Sequence, residues 1–117
     1  MIKQKLIIFG ACDDSRTLIK SYFPMIESNL VKILAICDND SRIKGDSFEN
    51  IIVISPDDLK NYDFDKIIVT PIFFEEIHRQ LVALGLDSDK IVPYKSNYNI
   101  YFSKTQRSFS NNQLGRY

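Results

Sequence analysis

Short, continuous apolar runs separated by segments of helical period constrain this chain more than any other feature. Lys5-Leu6-Ile7-Ile8-Phe9 is unbroken rather than alternating, and it stops at Gly10. That pattern belongs to a parallel strand covered on both faces. Val31-Lys32-Ile33-Leu34-Ala35-Ile36-Cys37, Ile51-Ile52-Val53-Ile54, Lys66-Ile67-Ile68-Val69-Thr70 and Lys90-Ile91-Val92 repeat it. Between them, residues 14–27 place Leu18, Ile19, Tyr22, Phe23 and Ile26 at helical spacing, and Pro24 predicts a kink or a break near Tyr22. Asn29 is a suitable stop. Residues 41–50 are polar, include Gly45 and are expected to form a loop. Ser55-Pro56-Asp57-Asp58-Leu59 has the cap, the first-position proline and the third-position acid of a short helix, ended by Asn61-Tyr62-Asp63. Residues 73–84 put Ile77, Leu81 and Leu84 on one face before Gly85. The order β-α-β-β-α-β-α-β predicts an α/β fold: an open, mostly parallel five-stranded sheet with helices on both faces and right-handed crossovers.

A chain of 117 residues fits one domain of ordinary size. No run approaches the ~18 apolar residues of a membrane span, and the N-terminus has neither an apolar leader core nor a small-residue cleavage site. Basic and acidic residues number 15 each. The zero net charge argues against a nucleic-acid binder driven by charge. It is the sum of two unlike pieces. Residues 95–117 carry Lys95, Lys104, Arg107 and Arg116 with no acid, so residues 1–94 hold 11 bases against 15 acids. The last 23 residues include 11 of Ser, Thr, Asn and Gln, show no clear period and carry five aromatics: Tyr98, Tyr101, Phe102, Phe109 and Tyr117. The expected organisation is therefore a domain over 1–94 followed by a basic, aromatic tail or linker over 95–117. Cys12 and Cys37 lie outside any metal-ligand spacing, and His78 is the one histidine. A zinc site, which needs about four such ligands, is not expected. Two free thiols suit a reducing cytoplasm; a disulfide between neighbouring strands or a reactive thiol is the other reading.

Ligands of an open parallel sheet bind beyond the carboxyl ends of its strands, where the strand order reverses. A dinucleotide fingerprint after the first strand would read G-x-G-x-x-G. Here the string is Gly10-Ala11-Cys12-Asp13-Asp14-Ser15, followed by Arg16. The first glycine is present, and Cys12 and Ser15 replace the other two. The helix N-terminus offers N–H groups and a positive dipole end to a phosphate. Asp13 and Asp14 suit that dipole but repel an anion, and Arg16 offsets them in part. Both a structural helix start and a working nucleotide loop are open on these residues. Asp38-Asn39-Asp40 follows the second strand, where an acid bonds ribose hydroxyls in a dinucleotide site; the same triplet is also ordinary turn chemistry. Thr70-Pro71-Ile72, after the fourth long run, is either a wall facing a nucleotide or a helix-entry turn. No Ser-His-Asp order, phosphate-loop lysine or HExxH pair occurs. His78 has no nucleophile on its helix face.

Four strings in order carry a resemblance: residues 5–11, Ile36-Cys37-Asp38-Asn39-Asp40, Ile54-Ser55-Pro56-Asp57-Asp58-Leu59, and Tyr62-Asp63-Phe64-Asp65-Lys66-Ile67-Ile68-Val69. Over about residues 3–94 the chain resembles the small Rossmann-like domains of bacterial surface-polysaccharide biosynthesis. These include the N-terminal domains of sugar-nucleotide acetyltransferases and capsular-polysaccharide dehydratases, and modules fused to sugar methyltransferases or glycosyltransferases. The resemblance implies a nucleotide-sugar or NAD(P) ligand, with Gly10, Ala11 and the backbone of Cys12 to Ser15 near the phosphates. It places Asp38 and Asp40 near the ribose or base. It also implies a fused or separate catalytic domain or a homodimer as partner, so catalysis by this chain alone is not expected.

Two rival readings are open at this level. One is a response-regulator receiver, with Asp13 and Asp14, Thr70 and Lys95 as its acidic pair, threonine and lysine; it lacks a phosphoacceptor, because Ser55 stands at the third strand end. The other is a degenerate Rossmann-like module without a nucleotide, acting through its tail as an interaction or regulatory element.

Overall fold

Each apolar run of the sequence becomes a strand of a single sheet. The computed structural model describes residues 2–94. The elements are β1 (Gln4–Phe9), α1 (Asp13–Ser21), α2 (Phe23–Glu27), β2 (Val31–Cys37), β3 (Ser47–Phe48), β4 (Ile51–Ile54), β5 (Lys66–Val69), α3 (Phe74–Ala83) and β6 (Ile91–Pro93). A 3-10 helix spans Pro56–Asn61, and 3-10 turns span Ser41–Ile43 and Ser88–Lys90. The basic, aromatic segment 95–117 lies outside the described residues.

The sheet order is β3-β4-β2-β1-β5-β6, and every pairing except β3 with β4 is parallel. Counting only the parallel strands, the order is 3-2-1-4-5. That is the Rossmann arrangement, with its reversal between β1 and β5; the receiver arrangement is 2-1-3-4-5. The receiver reading is thereby set aside.

The expected five strands are present, but the sheet has six. The extra one, β3, falls in residues 41–50, where a loop was expected. Phe48 pairs with Ile51 across Glu49 and Asn50, whose φ values are 52° and 64°. Two central residues with positive φ form the tight connection that matches strand twist in a hairpin. A two-residue strand is too short to show a period, so only Asn50 signalled it. At Tyr22 the expected break occurs: α1 stops at Ser21 and α2 restarts at Phe23 with Pro24 in its first turn. The Ser55 start is also present, as a 3-10 helix. The Asp58 carboxylate accepts the Ser55 N–H at 3.0 Å and its hydroxyl at 3.1 Å.

Alternation along the strands divides the core in two. Ile7, Phe9, Ala35, Cys37, Ile67 and Val69 face α3 and the 3-10 helix, packing on Leu59, Phe74, Ile77 and Leu81. Leu6, Ile8, Ile36, Val53 and Ile68 face α1, packing on Leu18 and Ile19. Each fully buried Leu or Ile contributes roughly 1.5–3 kcal/mol relative to exposure. This double cover fixes β1 and β5 side by side and brings their carboxyl ends together.

Candidate functional site

The strand ends where a site is expected meet around Gly10. The Gly10 N–H donates to the Cys37 carbonyl at 2.8 Å, tying the end of β1 to the end of β2. The next N–H, that of Ala11, donates to Asp38 Oδ2 at 2.9 Å. Asp38 Oδ1 accepts the Asp40 N–H at 2.8 Å. One carboxylate therefore braces both the loop after β1 and the turn after β2.

Gly10 has φ +114°, and a Cβ built there would stand 2.5 Å from Thr70 Oγ1 and 3.0 Å from Pro71 Cδ. The glycine is needed for the close approach of the β5 end. Thr70 is fully buried, and its hydroxyl donates to the Phe9 carbonyl at 2.9 Å. Ser15 is also fully buried; its hydroxyl donates to the Gly10 carbonyl and lies 3.0 Å from Thr70 Oγ1. Cys12 Sγ sits 3.2 Å from the same Thr70 oxygen. The crevice between β1 and β5 is thus closed from inside by a hydroxyl–thiol cluster. The side chains of Ser15 and Thr70 point into that cluster rather than toward solvent, so Thr70 is a floor and not a wall. Pro71 is half-buried, and Ile72 and Phe73 beyond it are 64% and 54% exposed.

At the start of α1, Cys12 is the N-cap without a side-chain cap bond. Its carbonyl accepts from the Ser15 and Arg16 N–H groups at 3.0 and 3.2 Å. The N–H groups of Asp13 and Asp14 find no acceptor among the described residues. Both of these side chains are exposed. Arg16 pairs with Asp13, but it also donates to Glu49 Oε2 at 2.9 Å and lies 4.8 Å over the Phe48 ring. The hairpin draws it away from the Gly10 loop. Glu49 and Phe48 had no signal in the sequence.

The Asp38-Asn39-Asp40 triplet divides its labour. Only Asp38 meets the Gly10 loop. Asp40 is occupied by Arg42, whose Nε and Nη2 approach its two carboxylate oxygens at 2.9 and 3.0 Å. Those hydrogen bonds hold the Asp40 carboxyl below its ordinary range. Asn39 exchanges a pair of amide hydrogen bonds with Gln80 of α3, at 3.0 and 2.7 Å. Gln80 lies 41 residues away in the chain, and no local pattern points to it.

Elsewhere, Cys37 is fully buried and its thiol is pushed up to about 12 by burial. Cys12 and Cys37 are both free thiols. His78 is half-buried, 2.9 Å from Ser88 Oγ. Among the described residues no group of three or more His, Cys, Asp or Glu could hold a metal ion, and no helix is long and apolar enough to cross a membrane. The arrangement supplies free donors at a helix start and an acidic acceptor beside them. It brings together no nucleophile and base.

The sequence profile of the C2185-like N-terminal family matches residues 2–92. The chain belongs to this family. No curated protein matches the chain. Among solved structures, this C2185-like N-terminal domain is similar to UDP-D-quinovosamine 4-dehydrogenase from Vibrio fischeri, at 16% identity and a TM-score of 0.61, over 87% of this chain and 86% of that one. It is also similar to RSP, a Rex-family repressor, at 14% identity and a TM-score of 0.56, over 92% of this chain. RSP has been solved with β-NADH, and with β-NAD+ and operator DNA. The chain spans about three fifths of RSP, 61% of its length. These likenesses establish a Rossmann-like fold for the C2185-like N-terminal domain.

Proposed function

We propose that the chain is a nucleotide-binding Rossmann-like domain, taking a dinucleotide such as NAD(H) or a nucleotide-sugar, and serving bacterial sugar or surface-polysaccharide biosynthesis as an accessory to a catalytic partner. The observation that carries this is the Ala11–Asp38 hydrogen bond, 2.9 Å long, at the reversal of strand order. It sets a turn with free Asp13 and Asp14 N–H groups beside an acid at the end of β2. The pyrophosphate lies beside Ala11 on the free N–H groups of Asp13 and Asp14, and Asp38 takes the ribose hydroxyls with its remaining lone pairs. A carboxylate at that point repels a 2′-phosphate, so the unphosphorylated dinucleotide is preferred. The fold shared with an NAD-binding repressor and a UDP-sugar dehydrogenase supports the ligand class. The 4 excess acids of residues 1–94 support no role for nucleic acid in this domain.

A second reading rests on a different observation. Cys12 Sγ covers Thr70, and the space beside Gly10 is used by Thr70 and Pro71. A crevice filled in this way fits a domain that has kept the fold and lost the nucleotide, acting as an interaction module. Titration of the isotopically labelled chain with NAD, NADP and UDP-sugars separates the two. Amide shifts at Gly10, Ala11 and Asp38 are expected at millimolar ligand. Their absence for every ligand would leave the interaction reading.

A further inference from the structure

We propose that the β3–β4 hairpin is a latch on the nucleotide site: Phe48 and Glu49 hold Arg16, and a nucleotide's diphosphate must draw it off them to bind. This rests on the nucleotide-binding role proposed for the Gly10 loop, and adds a regulating element to it.

Arg16 is the first base of α1, and Lys20 lies a full turn further on. Long side chains of a helix lean toward its N-terminus. The Arg16 guanidinium accordingly reaches the Asp13 carboxylate. Asp13 is one of the two residues whose N–H groups are proposed to hold the pyrophosphate, so Arg16 is the cation placed to neutralise it. Its charge is engaged elsewhere. Nε donates to Glu49 Oε2 at 2.9 Å, and the guanidinium carbon lies 4.8 Å over the Phe48 ring. That ring packs on the core cluster of α1, which fixes it. Asp13 and Glu49 together outweigh the single positive charge. Drawing Arg16 off Glu49 removes one of the two carboxylates that compete with a phosphate. A site whose competent state is only partly populated binds more weakly by that fraction.

The hairpin backbone supports the same assignment. Glu49 has φ 52°. Residues with a side chain are uncommon in this region, and the first central place of such a turn favours Asn, Asp or Gly. Glutamate gains nothing there from the backbone; its gain is the bond to Arg16. Strain of this kind persists where surrounding contacts hold it, and such contacts gather at switch elements. The hairpin also reaches the other half of the site. β4 pairs with β2 at Cys37 and Ile54, and the Asp38 N–H donates to the Ile54 carbonyl at 3.0 Å. By linkage, nucleotide binding and release of the hairpin favour each other equally.

The test titrates NAD into the full chain and three variants: Glu49→Asn, Arg16→Ala and the two combined. Glu49→Asn suits the turn and removes the carboxylate. It is expected to raise NAD affinity about threefold, as fits release of one partly exposed ion pair. Arg16→Ala is expected to lower affinity and, in the double variant, to cancel the gain of Glu49→Asn. In the unsubstituted chain, the Phe48 and Glu49 amides are expected to shift at the ligand concentration that shifts Ala11. Affinity of Glu49→Asn equal to or below that of the unsubstituted chain overturns the latch and leaves nucleotide binding standing. A gain that persists without Arg16 also overturns it, since loss of a nearby negative charge would then suffice. So do hairpin amides that stay in place at saturating NAD. Binding by Glu49→Asn alone among the four supports the latch. No binding by any of the four, with melting curves showing them folded, overturns the latch together with the nucleotide-binding reading. Should Glu49→Asn not fold, Glu49→Gln, which removes only the charge, takes its place.

Discussion

The carboxylate of Asp38 accepts the N–H of Ala11 at 2.9 Å, across 27 residues of chain. Without it, the loop after β1 loses its side-chain brace to the turn after β2, and the proposed nucleotide site loses its acceptor for the ribose. Asp38→Ala is expected to weaken NAD binding by at least about tenfold, or ~1.4 kcal/mol. Asp38→Asn keeps one oxygen acceptor and is expected to fall between. Calorimetric titration of the three proteins checks the order, and NADP affinity is expected to rise relative to NAD in both variants.

Gly10 answers to sterics rather than to ligand. With φ at +114° and Thr70 Oγ1 only 2.5 Å from a built Cβ, Gly10→Ala adds both backbone strain and overpacking. Strain in such a region costs ~1–3 kcal/mol and overpacking a similar amount. Urea unfolding is expected to report a loss of about 3 kcal/mol. A loss below about 1 kcal/mol would mean that the Thr70–Pro71 turn yields easily.

Thr70 is the hub of the closed crevice, through Phe9, Ser15 and Cys12. Thr70→Val keeps the shape and removes the hydroxyl. It removes the donor to the Phe9 carbonyl and the acceptor beside Cys12 Sγ in a fully buried place. Removing one partner of a buried hydrogen bond costs roughly 1–3 kcal/mol. Thr70→Ser retains the oxygen and is expected to lose less. Denaturant midpoints of the pair, at equal slope, test the assignment of the effect to the hydroxyl rather than the methyl.

What the sequence disclosed and what it hid divide along chain separation. The runs at residues 5–9, 31–37 and 66–70 disclosed their strands because burial on both faces demands continuous apolar residues. Ser55, Pro56 and Asp58 disclosed a helix start because capping is local. Asp38 was legible as a position, the acid that follows the second strand. The use of Thr70 was not, because its partners Phe9 and Ser15 lie 61 and 55 residues away. The same holds for Asn39 with Gln80. β3 was hidden for another reason: Ser47 and Phe48 gain their strand geometry from Ile51 and Ile52 opposite them, not from any pattern of their own.

Acid should weaken the fold through Asp58. Bonding from the Ser55 N–H lowers its carboxyl, and Lys44 and the Ser55 hydroxyl add to this. Asp40, held by Arg42, and Asp63, held by Lys5, are lowered in the same sense. A carboxyl lowered on folding stabilises fully above its unfolded value of about 3.9, and that contribution disappears as pH falls through the folded value. Asp58→Asn is therefore expected to lower the melting temperature near neutrality, with the gap to the unsubstituted chain closing as pH falls through the lowered folded value. A gap that stayed constant to low pH would assign the effect to packing.

Cys12 decides between the two readings of the site. It occupies the place where a dinucleotide loop carries its second glycine, and its Sγ lies 3.2 Å from Thr70 Oγ1. Its backbone is extended, with φ −141° and ψ 176°, so glycine fits there without strain. Glycine is also an accepted N-cap, and Cys12→Gly is expected to cost less than about 1 kcal/mol in stability. For a nucleotide-binding domain the substitution removes the atom that crowds the pyrophosphate, and NAD affinity is expected to rise by about tenfold. For a domain that has lost its nucleotide, opening one position leaves Ser15 at the third glycine and Asp13 and Asp14 facing the phosphate, and no binding is expected. Titration of the unsubstituted chain and the glycine variant side by side, with melting curves to confirm that both are folded, distinguishes a working site from a vestigial one.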